Sequence, residues 1–499
     1  MRYGLKKIFI VFILIFVLIS SGTAAVATEN TLGPKDETVE FLKGVIDMLE
    51  DRYNGEISVE ELVKGALRGM FDTLDDYTVF YDPEEAETFL SDMQGNYEGI
   101  GVMMSIRDEY ITIVKVFPNS PAQRAGLDVG DRIVAVEGQS VSGMALDAVA
   151  AKIKGEAGTI VKLGIIKNGE SEVTFVDVER ASVKYNPVNY EIRGDIGYIQ
   201  LDVFNSNTYE FVAQALDYMD QNNITKIILD LRGNPGGTVD QAVEVARRFV
   251  PEGVITKLAF KSEGTPDIIY SSELKELKYK LAVLVNGMTA SASEIIAGAV
   301  QDTNSGVIIG TRTFGKSKVQ NIIPILTPSA FKKYEQQLGV KLVDAYDLLR
   351  YYGVVPFDSE IVGWTKMTTG EYLTPNGRVI DGVGIEPDIF VEDPIAVLGI
   401  NIQTVQFLQK KIKPGLGSEG IDVLNAEKIL KLSGYKIDEP DMVLDQKTFE
   451  AIMEYQAKNG LYPYGVLDFT TQQYLNEDLA ELICNIDRQY GKAVEILGQ

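Results

Sequence analysis

A chain of 499 residues with one cysteine and no histidine must hold itself together almost entirely by burying apolar side chains. Cys484 has no partner for an internal disulfide, and zinc sites built on imidazole or on several thiolates are excluded. No metal and no other cofactor is called for. Each folded unit therefore needs its own core. With 45% hydrophobic and 24% charged residues there is material for about three units of roughly 100–200 residues each. The missing histidine also restricts chemistry. A hydrolytic serine in this chain must find another base, and a lysine amine is the next best attested.

The formal net charge is −25, from 47 basic and 72 acidic residues. That balance argues against nucleic acid and against an anionic membrane surface as partners reached through basic patches. At the N-terminus, Arg2, Lys6 and Lys7 precede the apolar run Ile8 to Ile19, and small residues follow as far as Ala24-Ala25-Val26-Ala27. Residues 1–27 read as an export signal with Ala27 as candidate cleavage edge. The alternative is an uncleaved membrane anchor, since 8–27 is about the shortest membrane span. Either reading puts the rest of the chain outside the cytoplasm, secreted or held at the cell envelope.

The remaining chain divides by pattern into an α/β unit, a β-rich unit and a small all-α unit, after an N-terminal helical region. Residues 36–95 read as helices, with Val39, Leu42, Val45, Ile46 and Leu49 at helical spacing and a capping-box start at Ser58 and Glu61. Self-association is the expected use of this region, together with the C-terminal helix. Residues 96–182 hold short β-rich runs punctuated by glycine, and one helical stretch, Ala145 to Ile153. Residues 186–398 alternate strands such as Lys226–Leu231 and Leu281–Val285 with helices, an α/β layout whose loops lie at strand ends. Within it, 330–362 reads as an insertion rich in Tyr, Leu and Lys. Residues 413–420 are a linker by composition, 421–476 a small helical unit, and 477–499 an amphipathic helix that docks elsewhere.

Ser291 follows the strand Leu281–Val285 where a helix begins, in Thr289-Ala290-Ser291-Ala292-Ser293-Glu294. There the free N–H groups and the helix dipole favour a developing negative charge. Taken alone, a serine at this place is more often a helix cap. Lys316, in Thr313-Phe314-Gly315-Lys316, opens the run Lys318–Ile323, which reads as a strand. On a strand, 316, 318 and 320 share a face, so Gln320 can orient a lysine amine. Lys316 and Lys318 have the same parity, and sequence physics does not choose between them. A lysine serves as base only if burial lowers its pKa.

Three resemblances add to this reading. Ser120-Pro121-Ala122, Ala125-Gly126-Leu127, Gly130-Asp131 and Ile133 resemble the PDZ family, with Gly99, Ile100, Gly101 and Val102 where that family has its carboxylate-binding loop. Glycines there let backbone N–H groups converge on a terminal carboxylate, and a peptide end can add as a strand. Gly434-Tyr435, Gln456, Gly460-Leu461, Gly465, Leu467-Asp468 and Thr471 resemble the small peptidoglycan-binding helical domain, which implies peptidoglycan as a partner. The run 289–302, then Gly310, Thr313-Phe314-Gly315-Lys316 and Gln320, resembles the C-terminal processing, or tail-specific, serine peptidases. So do Leu231-Arg232-Gly233-Asn234-Pro235-Gly236-Gly237, Leu373 to Arg378, and Gly382 to Asp388. The resemblance covers about 36–398. It implies a crotonase/ClpP-like ββα core, with Ser291 as nucleophile, Lys316 as general base, Gln320 as its orienter, and backbone N–H groups of Gly237 and Ala292 as oxyanion hole. It further implies protein substrates with free, nonpolar C-termini. Thr289 stands where many members have Ser. The rival is a catalytically silent PDZ and cell-wall adaptor.

Overall fold

The computed structural model describes residues 35–498 apart from 108, 109, 118, 169 and 263. The export segment 1–27, with Ala27, lies outside the described residues. Among the described residues no helix is long and apolar enough to cross a membrane.

A six-stranded sheet organises the α/β unit, in the order Val188–Arg193, Ile196–Leu201, Lys226–Asp230, Lys280–Val285, Val307–Gly310, Ile389–Phe390. The first two strands form an antiparallel hairpin and the remaining pairings are parallel. Parallel strands are covered on both faces, which is why these segments read as unbroken apolar runs. Alternate side chains enter opposite layers. Leu281, Val283 and Val285 join the core made with the helices Thr208–Gln221, Val239–Ala246 and Ala292–Thr303. Ala282 and Leu284 join the other layer, where they meet Ile400, Leu430, Leu479, Tyr490 and Leu497. The C-terminal helices thus form the second layer of the central sheet. The apolar face expected to serve self-association through the C-terminal helix is spent on the chain's own sheet.

The structure differs from the expected divisions in three places. The division at 476/477 falls inside the helix Phe469–Ile486, because Leu475, Leu479 and Ile483 continue one buried face across it. The stretch beyond is not one helix: a second, Arg488–Gly498, begins after a break at Asp487. Residues 36–95 are not wholly helical either. Val79–Tyr81 is a strand that pairs with Ile361–Leu373 and buries Phe80 against Ile325 and Val362. Ser58 does cap its helix, accepting from the Glu61 N–H at 3.3 Å. The 413–420 stretch is tied to the helical unit, with Leu467 N–H donating to Pro414 O and Gly417 N–H to Leu444 O, each at 2.8 Å.

A second sheet carries Ile361–Leu373 between Val79–Tyr81 and Gly253–Phe260, with Lys318–Leu326 also paired to it. The 330–362 stretch is the tip of that last hairpin. The segment joining the two strands holds two helices, Pro328–Leu338 and Ala345–Tyr352, with a small core of Leu326, Ala330, Tyr334, Ala345 and Leu348. The β-rich unit is an antiparallel sheet from Val102–Arg107 to Val173–Glu179, closed by the helix Leu146–Ile153 around Ile113, Val149 and Leu163.

Candidate active site

The chain leaves the strand Lys280–Val285 through a turn tied by Thr289. Its hydroxyl donates to Leu231 O at 2.8 Å and accepts from the Asn286 N–H at 2.9 Å. A β-branched hydroxyl residue is therefore sufficient at 289. Ser291 follows at φ +55, just before the helix Ala292–Thr303. A left-handed conformation at a non-glycine residue costs about 1–3 kcal/mol and persists only where its surroundings hold it. Here the Ser291 N–H donates to Glu294 Oε2 at 2.8 Å, and the Tyr372 hydroxyl lies 2.9 Å from Ser291 O. Ser291 is partly exposed whereas Ala292 to Val300 are all buried, so the turn presents this one side chain.

The Gly236-Gly237 loop lies against it. A Cβ on Gly236 would come within 2.8 Å of Ser291 Cβ and 2.9 Å of Ala292 N, and one on Gly237 within 2.1 Å of Phe204 O. No side chain fits at either position. Phe204 N–H donates to Gly236 O at 2.9 Å and Thr238 N–H to Phe204 O at 2.8 Å, in a parallel bridge between Phe204 and Gly237. A residue flanked in this way turns its own N–H away from the bridge partner.

Lys316 lies two residues ahead of the strand Lys318–Leu326, not on it. Its Nζ donates to Gln320 Oε1 at 3.3 Å and sits 4.4 Å from the centre of the Tyr77 ring. Burial lowers the Lys316 pKa, the nearby Lys366 charge lowers it further, and Asp75 opposes. Lys318 is in another state. Its amine pairs with Asp381 at 2.9 Å, and that hydrogen bond raises its pKa. The two lysines that sequence parity left equivalent are thus chemically distinct. Among the described hydrogen bonds none joins Ser291 to the Lys316 amine, and the buried Gln320 Nε2 has no partner.

Glu294 joins the two segments, and sequence reasoning did not assign it a role. Its buried carboxylate accepts from Thr313 Oγ1 at 2.5 Å and Gly315 N–H at 2.7 Å on Oε1, and from Ser291 N–H at 2.8 Å and Lys316 N–H at 2.9 Å on Oε2. Burial pushes its pKa up, and these same hydrogen bonds pull it back. The Tyr372 hydroxyl makes the matching contact to carbonyls, 2.7 Å from Lys316 O as well as 2.9 Å from Ser291 O. Two residues far apart in sequence are thus held by one carboxylate and one phenol.

Gly99, Ile100, Gly101 and Val102 line a groove of about 420 Å³, walled by Tyr97 and Phe117. Gly101 has φ +83, and a Cβ there would lie 2.3 Å from Ser120 Cβ, so only glycine suits the loop. Val203 and Asn205 reach the same groove from the α/β unit. Phe204 between them is the bridge partner of Gly237.

Residues 195–391 match the profile of peptidase family S41, 112–167 that of the PDZ domain, and 419–475 that of a putative peptidoglycan binding domain. The chain is 29% identical over 505 residues to the carboxy-terminal processing protease CtpA of Bacillus subtilis (strain 168), covering 100% of this chain and 99% of that one. It is 30% identical over 396 residues to the carboxy-terminal-processing protease of Bartonella bacilliformis, covering 77% of this chain and 83% of that one. The chain belongs to the carboxy-terminal processing proteases of family S41.

Within this processing protease, Ser291, Lys316 and Gln320 all fall in the S41 segment, whereas Tyr77 comes from before it. Glu294 had a sequence signal, the Ser-x-x-Glu spacing of a capping box, which could have placed it beside Ser291. Tyr77 had none, because its contact with Lys316 depends on how the N-terminal region packs on the second sheet.

Proposed function

We propose that this processing protease is an exported serine endopeptidase that holds a protein's free, nonpolar C-terminus in the Gly99–Val102 groove and cuts near that end with Ser291 and Lys316. The shared Glu294 carboxylate carries the reading, because it puts the Ser291 and Lys316 backbones on one oxygen atom. The neutral Lys316 amine takes the Ser291 hydroxyl proton as Oγ attacks the scissile carbonyl carbon. The N–H groups of Gly237 and Ala292 receive the carbonyl oxygen as it becomes an oxyanion. Collapse breaks the C–N bond, and the Lys316 ammonium gives its proton to the leaving amine. Water then attacks the Ser291 ester with Lys316 again as base, freeing the acid and restoring the hydroxyl. Gln320 accepts a hydrogen bond from the amine and orients it. The amine lies over Tyr77, and catalytic hydrogen bonds commonly tighten only with substrate.

The same proposal extends to architecture and place. The core from 186 to 398 is of the crotonase/ClpP-like kind, a reading supported by the strand–strand–helix run Val188–Arg193, Ile196–Leu201 and Thr208–Gln221. Residues 36–95 and 96–182 form an N-terminal region and a PDZ module. Val39, Phe41 and Leu42 on the helix Lys35–Arg52 are exposed at 66%, 69% and 52%, which suits self-association through this helix. The 421–476 unit brings the enzyme to peptidoglycan at the envelope. The silent-adaptor alternative gains nothing, since the sequence retains the serine, the lysine, the glutamine and the paired glycines. The test compares wild type with Ser291→Ala and Lys316→Ala on a protein ending in free apolar residues. Cleavage at the wild-type rate by both variants refutes the pair. Undiminished cleavage of a C-terminally amidated substrate refutes carboxylate capture alone.

A further inference from the structure

Arg232 opens the loop that ends in Gly236-Gly237, and its side chain reaches Asp487 and Gln489 of the C-terminal layer. Its Nε donates to Asp230 Oδ1 at 2.9 Å and Nη2 to Asp230 Oδ2 at 2.6 Å. Its Nη1 faces Asp487 at 2.9 Å and 2.8 Å from the two carboxylate oxygens, and Gln489 Oε1 at 3.0 Å. Gln489 is turned this way by its amide nitrogen, which donates to Val391 O and Asp393 Oδ1, each at 2.9 Å. The ion pair is dry: the side chains of Arg232, Asp230 and Asp487 are 5%, 3% and 4% exposed. Asp487 occupies the break between Phe469–Ile486 and Arg488–Gly498, beyond the segment that matches family S41.

A buried ion pair is weak evidence for stability, since apolar residues of similar volume often do as well. It does fix geometry. From Arg232 the loop runs through Asn234, whose side chain accepts from the Gly236 N–H at 2.9 Å and whose carbonyl accepts from the Ala290 N–H at 3.0 Å. A displacement at Arg232 therefore reaches both sides of the candidate oxyanion site. Misplacement by about 1 Å can cost a hundredfold in rate.

We propose that Asp487 and Gln489 are positioning residues for the peptidase: they lock Arg232, and through it the Leu231–Gly237 loop that presents the Gly237 N–H to the substrate carbonyl. The C-terminal helices are then part of the catalytic apparatus. The inference rests on the Ser291/Lys316 reading above.

The test uses the full chain with Asp487→Asn and Asp487→Ala, beside Ser291→Ala. Each is followed by kcat and KM on a protein with a free apolar C-terminus, by the rate at which a fluorophosphonate labels Ser291, and by thermal melting. Asp487→Asn keeps the shape and is the deciding variant if Asp487→Ala does not fold. The expected result is a kcat lower by about tenfold or more, a KM within about twofold, and a parallel loss in labelling rate. A merely structural role lowers the melting temperature but leaves kcat per labelled serine unchanged, and that result overturns the proposal. So does a raised KM at constant kcat. Failure of the underlying reading looks different: wild type is then not labelled at Ser291, and Ser291→Ala still cleaves.

Discussion

Replacing Tyr77 by leucine isolates what sets the protonation of Lys316. The amine lies 4.4 Å from the ring centre, inside the roughly 6 Å range of cation–π attraction. At a half-buried site that attraction stabilises the ammonium form by about 1 kcal/mol. The neutral amine gains nothing comparable, so the ring opposes the lowering caused by burial and by Lys366. Removing the ring favours the neutral form. With 1.36 kcal/mol per tenfold, about fivefold more neutral amine is present at any pH where most of Lys316 is protonated. In the proposed mechanism kcat/KM on the acid limb rises by the same factor of about five, and the alkaline plateau is unchanged. The assay is a kcat/KM profile from about pH 5 to pH 10 for wild type, Tyr77→Leu and Tyr77→Phe. The phenylalanine variant keeps the ring and should keep the wild-type limb. If the leucine variant's limb stays in place or moves to higher pH, the ring is not what holds the ammonium.

Glu294→Gln leaves one oxygen and one amide nitrogen facing four donors, so two charge-assisted hydrogen bonds are lost. After relief of the buried charge the expected cost is about 2–3 kcal/mol in denaturant unfolding, with a large fall in kcat because Ser291 loses its anchor. Gly237→Ala puts a Cβ 2.1 Å from Phe204 O, and the loop must shift; cleavage should drop about a hundredfold in a variant that still binds peptide in the Gly101 groove by calorimetry. Lys318→Ala removes only a partly exposed pair with Asp381, worth at most about 1 kcal/mol, so kcat/KM should stay within about threefold and the acid limb should not move.

Much of the fold follows from local pattern. The strands Lys226–Asp230 and Lys280–Val285 are visible as apolar runs because both their faces are buried, and Ser58 marks its helix start by chemistry that needs no distant partner. Val79–Tyr81 is invisible for the opposite reason. Three residues are too few to show a period, and the strand exists because Ile361–Leu373 is there to pair with it. The C-terminal helices show an apolar face in sequence, but amphipathicity says only that a face is buried, not against what; Tyr490 and Leu497 find the back of the central sheet.

The candidate site divides along the same line. Ser291, Lys316 and the paired glycines lie in short motifs, and the positive φ at Ser291, Gly236 and Gly237 is a need of the local backbone. The chemical state of the lysines is not local. The hydrogen bond to Asp381 raises the pKa of Lys318, and Lys316 is poised between burial, Lys366 and the ring of Tyr77. Those partners arrive from the S41 core and from the N-terminal region, so parity along one strand could never choose between 316 and 318. A lysine can serve as a base here only through packing assembled from segments hundreds of residues apart. On the proposed mechanism, the N-terminal and C-terminal additions to the S41 core, through Tyr77 and Asp487, take part in setting the state of Lys316 and the position of the Gly237 loop.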